Sequence, residues 1–227
     1  MLTVVCVMKS GGDFDTTFVE KLERSCFLNL DYHRFICLTD IVAETWFEES
    51  TFISYVPLTE GFPGWWSKIE VFKPPVGGHW CHVGDPILYI DLDTVITRDI
   101  SHLFGAVDCD LVLLRDFYRL QTHMGTGMMG WTAGQMSQIY DTFVASPDKF
   151  MRQFRSDQEF IQMLIPPSWV RFWQDEFPGH VVSYKIHCTR GLPGKAHVVC
   201  FHGKPRPNSE QVRTESPWMR EKWSIDE

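Results

Sequence analysis

No unbroken apolar run in the sequence approaches the roughly 20 residues that a membrane-spanning helix needs, so no membrane span is expected. The first apolar run lacks G-x-G-x-x-G, and G-x-x-x-x-G-K-[ST] occurs nowhere. The common dinucleotide and P-loop signatures are therefore missing. Also missing are C-x-x-C pairs. The seven cysteines are an odd number, and Cys6, Cys37 and Cys200 sit inside apolar runs. That pattern fits reduced core thiols, with neither a disulfide framework nor a zinc site. Positive charge is scarce: 21 Lys and Arg against 29 Asp and Glu leave a net charge of −8. A general polyanion partner is disfavoured, although a local basic groove is not excluded. Repeats, low-complexity tracts and a clear interdomain linker are absent. The opening MLTVVCVMKS has neither a basic start nor a long apolar segment, so no signal peptide is expected and a cytoplasmic location is.

What is present is a chain of 227 residues, 44% apolar and 14% aromatic, enough to bury a sizeable core and too apolar for general disorder. We read it as one domain over 1–227, with 208–227 as a C-terminal tail held by Trp218 and Trp223. Its centre is Pro86 to Arg98, PILYIDLDTVITR. Ile87 to Ile90 form a continuous apolar run, as in a strand covered on both faces. In an extended backbone Asp91 and Asp93 project the same way while Leu92 points into the core. Two adjacent carboxylates repel, and each is costly to desolvate. A hard divalent cation resolves that conflict, and strand carboxyl ends are where α/β folds place ligands. A solvated turn is the plainer alternative.

Thr3 to Met8 reads as a first buried strand running into a loop at Lys9-Ser10-Gly11-Gly12. Thr17 and Glu20 have capping-box spacing before a helix with Phe18, Val19, Leu22 and Cys26 on its apolar face. His33 to Leu38 is a second strand ending at Thr39-Asp40, which completes a βαβ unit. Phe52 to Pro57 is a short third strand. Ser67 to Phe72 reads as a short helix ahead of Pro74-Pro75. Periodicity favours Lys68 as a snorkelling side chain over a cation aimed at phosphate. Pro74 to Gly84 is a Gly/Pro-rich loop.

Ile100, Leu103 and Phe104 mark a short helix, and Asp110 to Leu114 another buried strand. In His123 to Trp131, HMGTGMMGW, the glycines permit close backbone approach by a ligand, or simply a tight loop or bulge. Met136, Ile139, Tyr140, Phe143 and Val144 form a core helix. Ser156 and Glu159 cap a further helix, whose dipole alone justifies Asp157 in its first turn. Trp169 to Pro178 is unassigned. Val181 to Lys185 and Ala196 to Phe201 are late strands. The second delivers His202-Gly203-Lys204-Pro205-Arg206, either a metal-ligating imidazole with two cations suited to diphosphate, or a structural histidine beside a solvated basic pair.

WWSKIEVF, ILYIDLDTVITRDISHLF, HMGTGMMGW, SDQEF and FHGKPRP, in that order, resemble the motifs of GT-A fold glycosyltransferases, especially the retaining, glycogenin-like class. The resemblance covers roughly residues 3 to 207. It implies an α/β, GT-A (Rossmann-like) fold with a mixed, mainly parallel sheet flanked by helices. It also implies transfer of a hexosyl or pentosyl group from a nucleotide-diphosphate sugar, a UDP-sugar being expected, to an acceptor hydroxyl. The acceptor could be a glycan, a small molecule, a protein or modified DNA. The expected cofactor is Mn²⁺ or Mg²⁺ on Asp91, Asp93 and His202. The resemblance further assigns Val7, Met8, Lys9, Ser10, Asp40, Lys68, Asp91, Leu92, Gly125, Thr126, Gly127, Gly203, Lys204 and Arg206 to the nucleotide sugar. Asp157, Gln158 and Lys204 take the catalytic roles. In the family the closing histidine, glycine and lysine often stand further apart than His202, Gly203 and Lys204. Lys204 and Arg206 therefore both stand as the cation for the phosphate.

Two other readings stand beside it. Asp91-Leu92-Asp93-Thr94-Val95 also fits the D-x-D-x-[TV] of haloacid-dehalogenase-like phosphatases, with Asp91 as nucleophile, but two strands precede it and no acidic pair follows. A catalytically inactive nucleotide-binding module is the non-enzymatic reading. A sugar-phosphate nucleotidyltransferase is disfavoured, because the first loop lacks that family's Gly-rich, Arg/Lys-containing signature.

Overall fold

The computed structural model describes residues 1–41, 52–75, 80–108, 110–119 and 123–223. The chain starts with β1 (Leu2–Met8), α1 (Thr16–Asn29), β2 (His33–Thr39) and β3 (Ile53–Pro57). The three strands pair in parallel, as a βαβ beginning requires. Asp15, not Thr17, caps α1: its carboxylate accepts the Thr17 N–H at 3.0 Å. This corrects the expected Thr17–Glu20 box by two residues. The predicted apolar face holds, with Phe18, Val19, Leu22 and Cys26 all buried.

A 3₁₀ segment over Gly64–Phe72 then leads to β4 (Pro86–Ile90), followed by β5 (Thr94–Ile96), β6 (Leu111–Arg115) and β7 (Met124–Thr132). The Gly/Pro-rich loop from Pro74 to Gly84 lies partly outside the described residues, as does Cys109. The glycine segment forms β7 rather than a loop: it runs antiparallel between β4 and β6, with a register shift against β6. Small residues there admit close neighbours. A Cβ on Gly130 would stand 2.8 Å from the Trp173 ring and 2.9 Å from Val107.

The remaining elements are α2 (Ser137–Val144), α3 (Pro147–Gln153), α4 (Asp157–Leu164), β8 (Val170–Phe172), α5 (Trp173–Glu176), β9 (Val181–Ser183), α6 (Tyr184–His187), β10 (Val198–Cys200), α7 (Glu210–Glu215) and α8 (Trp218–Trp223). The unassigned Trp169–Pro178 stretch thus supplies the edge strand β8, parallel to β6. The main sheet has the order β3-β2-β1-β4-β7-β6-β8, mixed and mainly parallel, with helices on its faces. The expected fold class is the one observed. Among the described residues, no helix is long and apolar enough to cross a membrane.

Alternation along the strands separates two cores. Val4, Cys6, Leu88 and Ile90 face α1 and the second sheet. Val5, Ile87 and Tyr89 face the 3₁₀ segment, α2 and α4. The second sheet, β5-β10-β9, grows directly from the D-x-D turn. In it β10 runs antiparallel to β5, Cys200 opposite Thr94, and the Phe201 N–H donates to the Asp93 carbonyl at 3.1 Å. That register carries the chain after β10 back to the D-x-D. Residues 208–223 pack on the first core through Val212, Met219 and Trp223.

Candidate active site

The main strand of the site, β4, stops at Ile90, so Asp91, Leu92 and Asp93 occupy the turn between β4 and β5 rather than continued strand. Leu92 is 2% exposed and packs in the core, as expected from the sequence. The Asp91 N–H donates to the Gly127 carbonyl at 2.8 Å, which fixes the turn against β7. Gly127 is small for a reason: a Cβ there would stand 3.1 Å from Asp91 Oδ2.

Two adjoining cavities, of about 380 and 550 Å³, open at this turn and share Trp65, Lys68, Asp91, Asp93 and His202 as walls. The smaller also meets Gly125, Thr126, Gly127, Asp157 and Gln158. The larger meets Val7, Lys9, Ser10, Gly203 and Arg206.

Lys68 is not a snorkelling side chain. It is buried, with Nζ 3.0 Å from Asp91 Oδ1 and 3.6 Å from Asp157 Oδ2. Burial alone would lower its pKa, but the Asp157 and Asp91 carboxylates outweigh burial and hold the ammonium charged. Asp157, itself 3% exposed, also accepts the Thr126 hydroxyl at 2.8 Å. It therefore serves more than the helix dipole. Tyr89 donates to Asp91 Oδ1 at 2.5 Å.

The second carboxylate has its own partners. Asp93, 4% exposed, accepts from the Gly203 N–H at 3.1 Å and from the Arg206 guanidinium. Burial and the Asp91 charge raise its pKa, against the pull of Gly203 and Arg206. Arg206 also reaches Asp13 at 3.1 Å and lies over the Phe14 ring at 4.5 Å. His202 sits in left-handed backbone, φ 40°, its ring stacked on Phe117 and its Nε2 hydrogen-bonded with Ser183 Oγ at 2.6 Å. Lys185 Nζ donates to its carbonyl at 3.0 Å. Burial, with Lys185 second, lowers the His202 pKa to about 4, so the ring is neutral near pH 7.

Of the nucleotide-sugar residues expected from sequence, four stand away from the cavities: Met8, Leu92, Lys204 and Asp40. Met8 is wholly buried in the first core, and Leu92 likewise packs inward. The burial of Met8 follows from strand alternation, which turns every second residue from a ligand on the other face, and Leu92 is turned inward by the bend between β4 and β5. Lys204 is exposed and lines neither cavity, while Arg206, two residues on, turns inward. Asp40 stands one layer back, accepting Lys9 Nζ at 2.7 Å and Ser10 Oγ at 2.6 Å. Sequence reasoning missed Trp65, 58% exposed on the rim, together with Phe117 and Ser183. Trp65 was legible as a tryptophan in a turn-rich segment; the other two depend on long-range packing.

Two carboxylates and a neutral imidazole on one wall suit Mn²⁺ or Mg²⁺ in kind. Asp91, Asp93 and His202 do not, however, bring their ligand atoms within 4.8 Å of one another, among the described residues. Lys68 and Tyr89 engage Asp91, Arg206 engages Asp93, and Ser183 engages His202.

No protein-family model matches the chain, and no curated protein sequence matches it. Solved structures do. The glycosyltransferase GlyE of Streptococcus pneumoniae TIGR4 superposes with a TM-score of 0.71 at 14% identity, covering 99% of this chain and 60% of that one. Its apo form gives 0.68 at 13% identity, with the same coverage. The apo structure of WbbM, a bifunctional glycosyltransferase, gives 0.60 at 13% identity over 97% of this chain and 50% of its own. The fold is that of these glycosyltransferases. The chain spans about 60% of the length of GlyE. At such low identity the likeness concerns the fold alone.

Proposed function

We propose that the chain is a metal-dependent glycosyltransferase, moving a sugar with retention from a nucleotide-diphosphate sugar, a UDP-sugar in the first instance, to an acceptor hydroxyl. One observation carries the reading: Lys68, Asp91, Asp93, Asp157, His202 and Arg206 converge on one cleft at the carboxyl end of β4, in the fold of known glycosyltransferases. The larger cavity, between the end of β1 and Arg206, suits the nucleoside and diphosphate. Trp65 offers a flat apolar face at its mouth. The smaller, floored by β7 and the start of α4, suits the sugar and the acceptor hydroxyl.

Asp91, Asp93 and His202 would hold the divalent ion. Bound there, Mn²⁺ or Mg²⁺ would supply Lewis-acid neutralisation of the diphosphate. Arg206 adds a second positive charge where charge develops on the departing diphosphate, and the buried site strengthens that interaction. Lys68 holds Asp91 and Asp157 in place through its two ion pairs. Asp157 then faces the oxocarbenium-like carbon as stabiliser or nucleophile, with Gln158 positioning the sugar. The cytoplasm remains the proposed location.

A thermal-shift screen of nucleotide sugars with Mn²⁺ tests the donor, since a ligand at a hundredfold excess over its Kd stabilises by about 2.7 kcal/mol. Turnover of the hit, with the product anomer read by NMR, tests transfer and stereochemistry. Hydrolysis of phosphomonoesters with no donor shift would favour the phosphatase reading instead. Donor binding without transfer or hydrolysis would favour an inactive module.

A further inference from the structure

Away from the cleft, the second sheet gathers three histidines. His102 lies in the 3₁₀ turn over Ser101–Ala106, His180 just before β9, and His197 just before β10. One ring nitrogen from each lies within 4.8 Å of the other two, and each residue is half-buried. Neither the D-x-D turn nor the closing His202 takes part. His197 and His202 lie at opposite ends of β10, five residues and therefore roughly 16 Å of extended chain apart.

Backbone contacts hold the three in place. The N–H groups of His197 and Val198 both donate to the His180 carbonyl, at 2.8 and 2.9 Å, and Thr97 N–H donates to the His197 carbonyl at 2.8 Å. The imidazole of His197 has one nitrogen already committed: Nδ1 lies 2.5 Å from the Asp99 carbonyl oxygen, so it carries the proton and leaves the Nε2 lone pair free. A second-sphere carbonyl that fixes the tautomer in this way is the usual companion of a metal-bound histidine. His180 stacks on His197 at 4.3 Å, and Phe177 packs edge-on to His102 at 5.1 Å. Nε2 of His102 and Nδ1 of His180 share a proton at 2.8 Å.

We infer that His102, His180 and His197 form a tris-imidazole site for a borderline transition-metal ion, Zn²⁺ first, separate from the oxygen-rich cleft. Three imidazoles suit Zn²⁺, Cu²⁺ or Ni²⁺ and leave a fourth position for water, whereas Mg²⁺ and Mn²⁺ prefer oxygen. Tetrahedral Zn–N bonds of about 2.0–2.1 Å set the nitrogens roughly 3.3 Å apart, a modest contraction by side-chain rotation. The ion takes the place of the shared proton, which moves to the other nitrogen of the ring that carries it, Nδ1 of His102 or Nε2 of His180. It ties the turn after β5 to the starts of β9 and β10.

Titration of the full chain with Co²⁺, a visible-absorbing substitute for Zn²⁺, in excess Mg²⁺ tests the site. One equivalent should produce the bands of a low-coordinate nitrogen site, and Zn²⁺ should displace it. His180→Gln and His197→Gln should each weaken binding by at least about 100-fold, beyond the 10–100-fold that outer-sphere partners cost. Asp93→Asn should leave the bands intact. Absence of bands, binding unaffected by the histidine changes, or binding lost in Asp93→Asn overturns the proposal. Should either glutamine variant fail to fold, the unaltered chain still decides it. Zn²⁺ should protect His102, His180 and His197 together from acylation by diethylpyrocarbonate, and equal labelling with and without Zn²⁺ refutes the site.

Discussion

At the scale of single residues, the cleft is governed by which cation faces which carboxylate. Lys68 lies between two acids that are otherwise costly to bury, so Lys68→Met leaves the nearly inaccessible Asp157, among the described residues, with the Thr126 hydroxyl as its side-chain partner. Removing one partner of a buried pair typically costs about 3–5 kcal/mol. Urea denaturation should show that loss, and an unchanged midpoint would mean the ammonium is dispensable. Arg206→Gln should act differently. Its side chain is 22% exposed, and Asp93 keeps the Gly203 N–H, so the cost falls on turnover more than on folding. Loss of one preorganised positive group lowers kcat by about 10²–10³-fold. Mn²⁺ binding, followed by calorimetry, should hold or tighten, because Asp93 loses its competitor. Asp93→Ala, by contrast, should abolish divalent-dependent donor hydrolysis; retained activity would remove Asp93 from the metal. Apart from the D-x-D, residue spacing alone says little at this scale; Lys68, Asp157, His202 and Arg206 are assigned to the site in advance only through the family resemblance. Lys68 has the spacing of a surface lysine, and only its burial beside two carboxylates reveals its role.

At the scale of elements, β7 shows how a motif can be noticed and its structure missed. HMGTGMMGW reads either as a close backbone approach to a ligand or as a tight loop or bulge, because glycine disfavours strands. Here the glycines make a central strand possible. Gly127 leaves room for the Asp91 carboxylate, and Gly130 for Trp173 and Val107. Gly130→Ala therefore forces a Cβ within 3 Å of Trp173, with little room to yield in a core. We expect a loss of about 1–3 kcal/mol, read as a lower denaturation midpoint with cleft chemistry otherwise intact. The strands with continuous apolar runs, β1, β2, β4 and β6, were legible because a strand covered on both faces has no polar side. The short edge β8 was not: its three residues carry no periodicity of their own.

At the scale of the whole molecule, the second sheet couples the cleft to pH. Burial, reinforced by Lys185, holds the His202 ring neutral down to about pH 4, whereas an unfolded histidine takes up its proton near pH 6.5. Between those values the unfolded chain binds more protons. Stability therefore rises with pH across that window and is lost as pH falls from about 6.5 towards about 4. Allowing for solvent screening at a half-buried ring, the difference is on the order of 1–2 kcal/mol. Metal-free protein unfolded in urea at about pH 7 and about pH 4.5 should show it, and His202→Gln should show less. Equal losses in both would assign the pH dependence elsewhere. The covered strands, the helical faces and the acidic turn at the end of β4 are legible from local residues, because hydrophobic period and carboxylate repulsion act within a few positions of the chain. That β7 lies between β4 and β6, that Arg206 rather than Lys204 turns inward, and that three distant histidines meet are settled by the folded arrangement. Those outcomes follow from strand order and register, which arise from packing between segments as far apart as Asp13 and Arg206, separated by 193 residues.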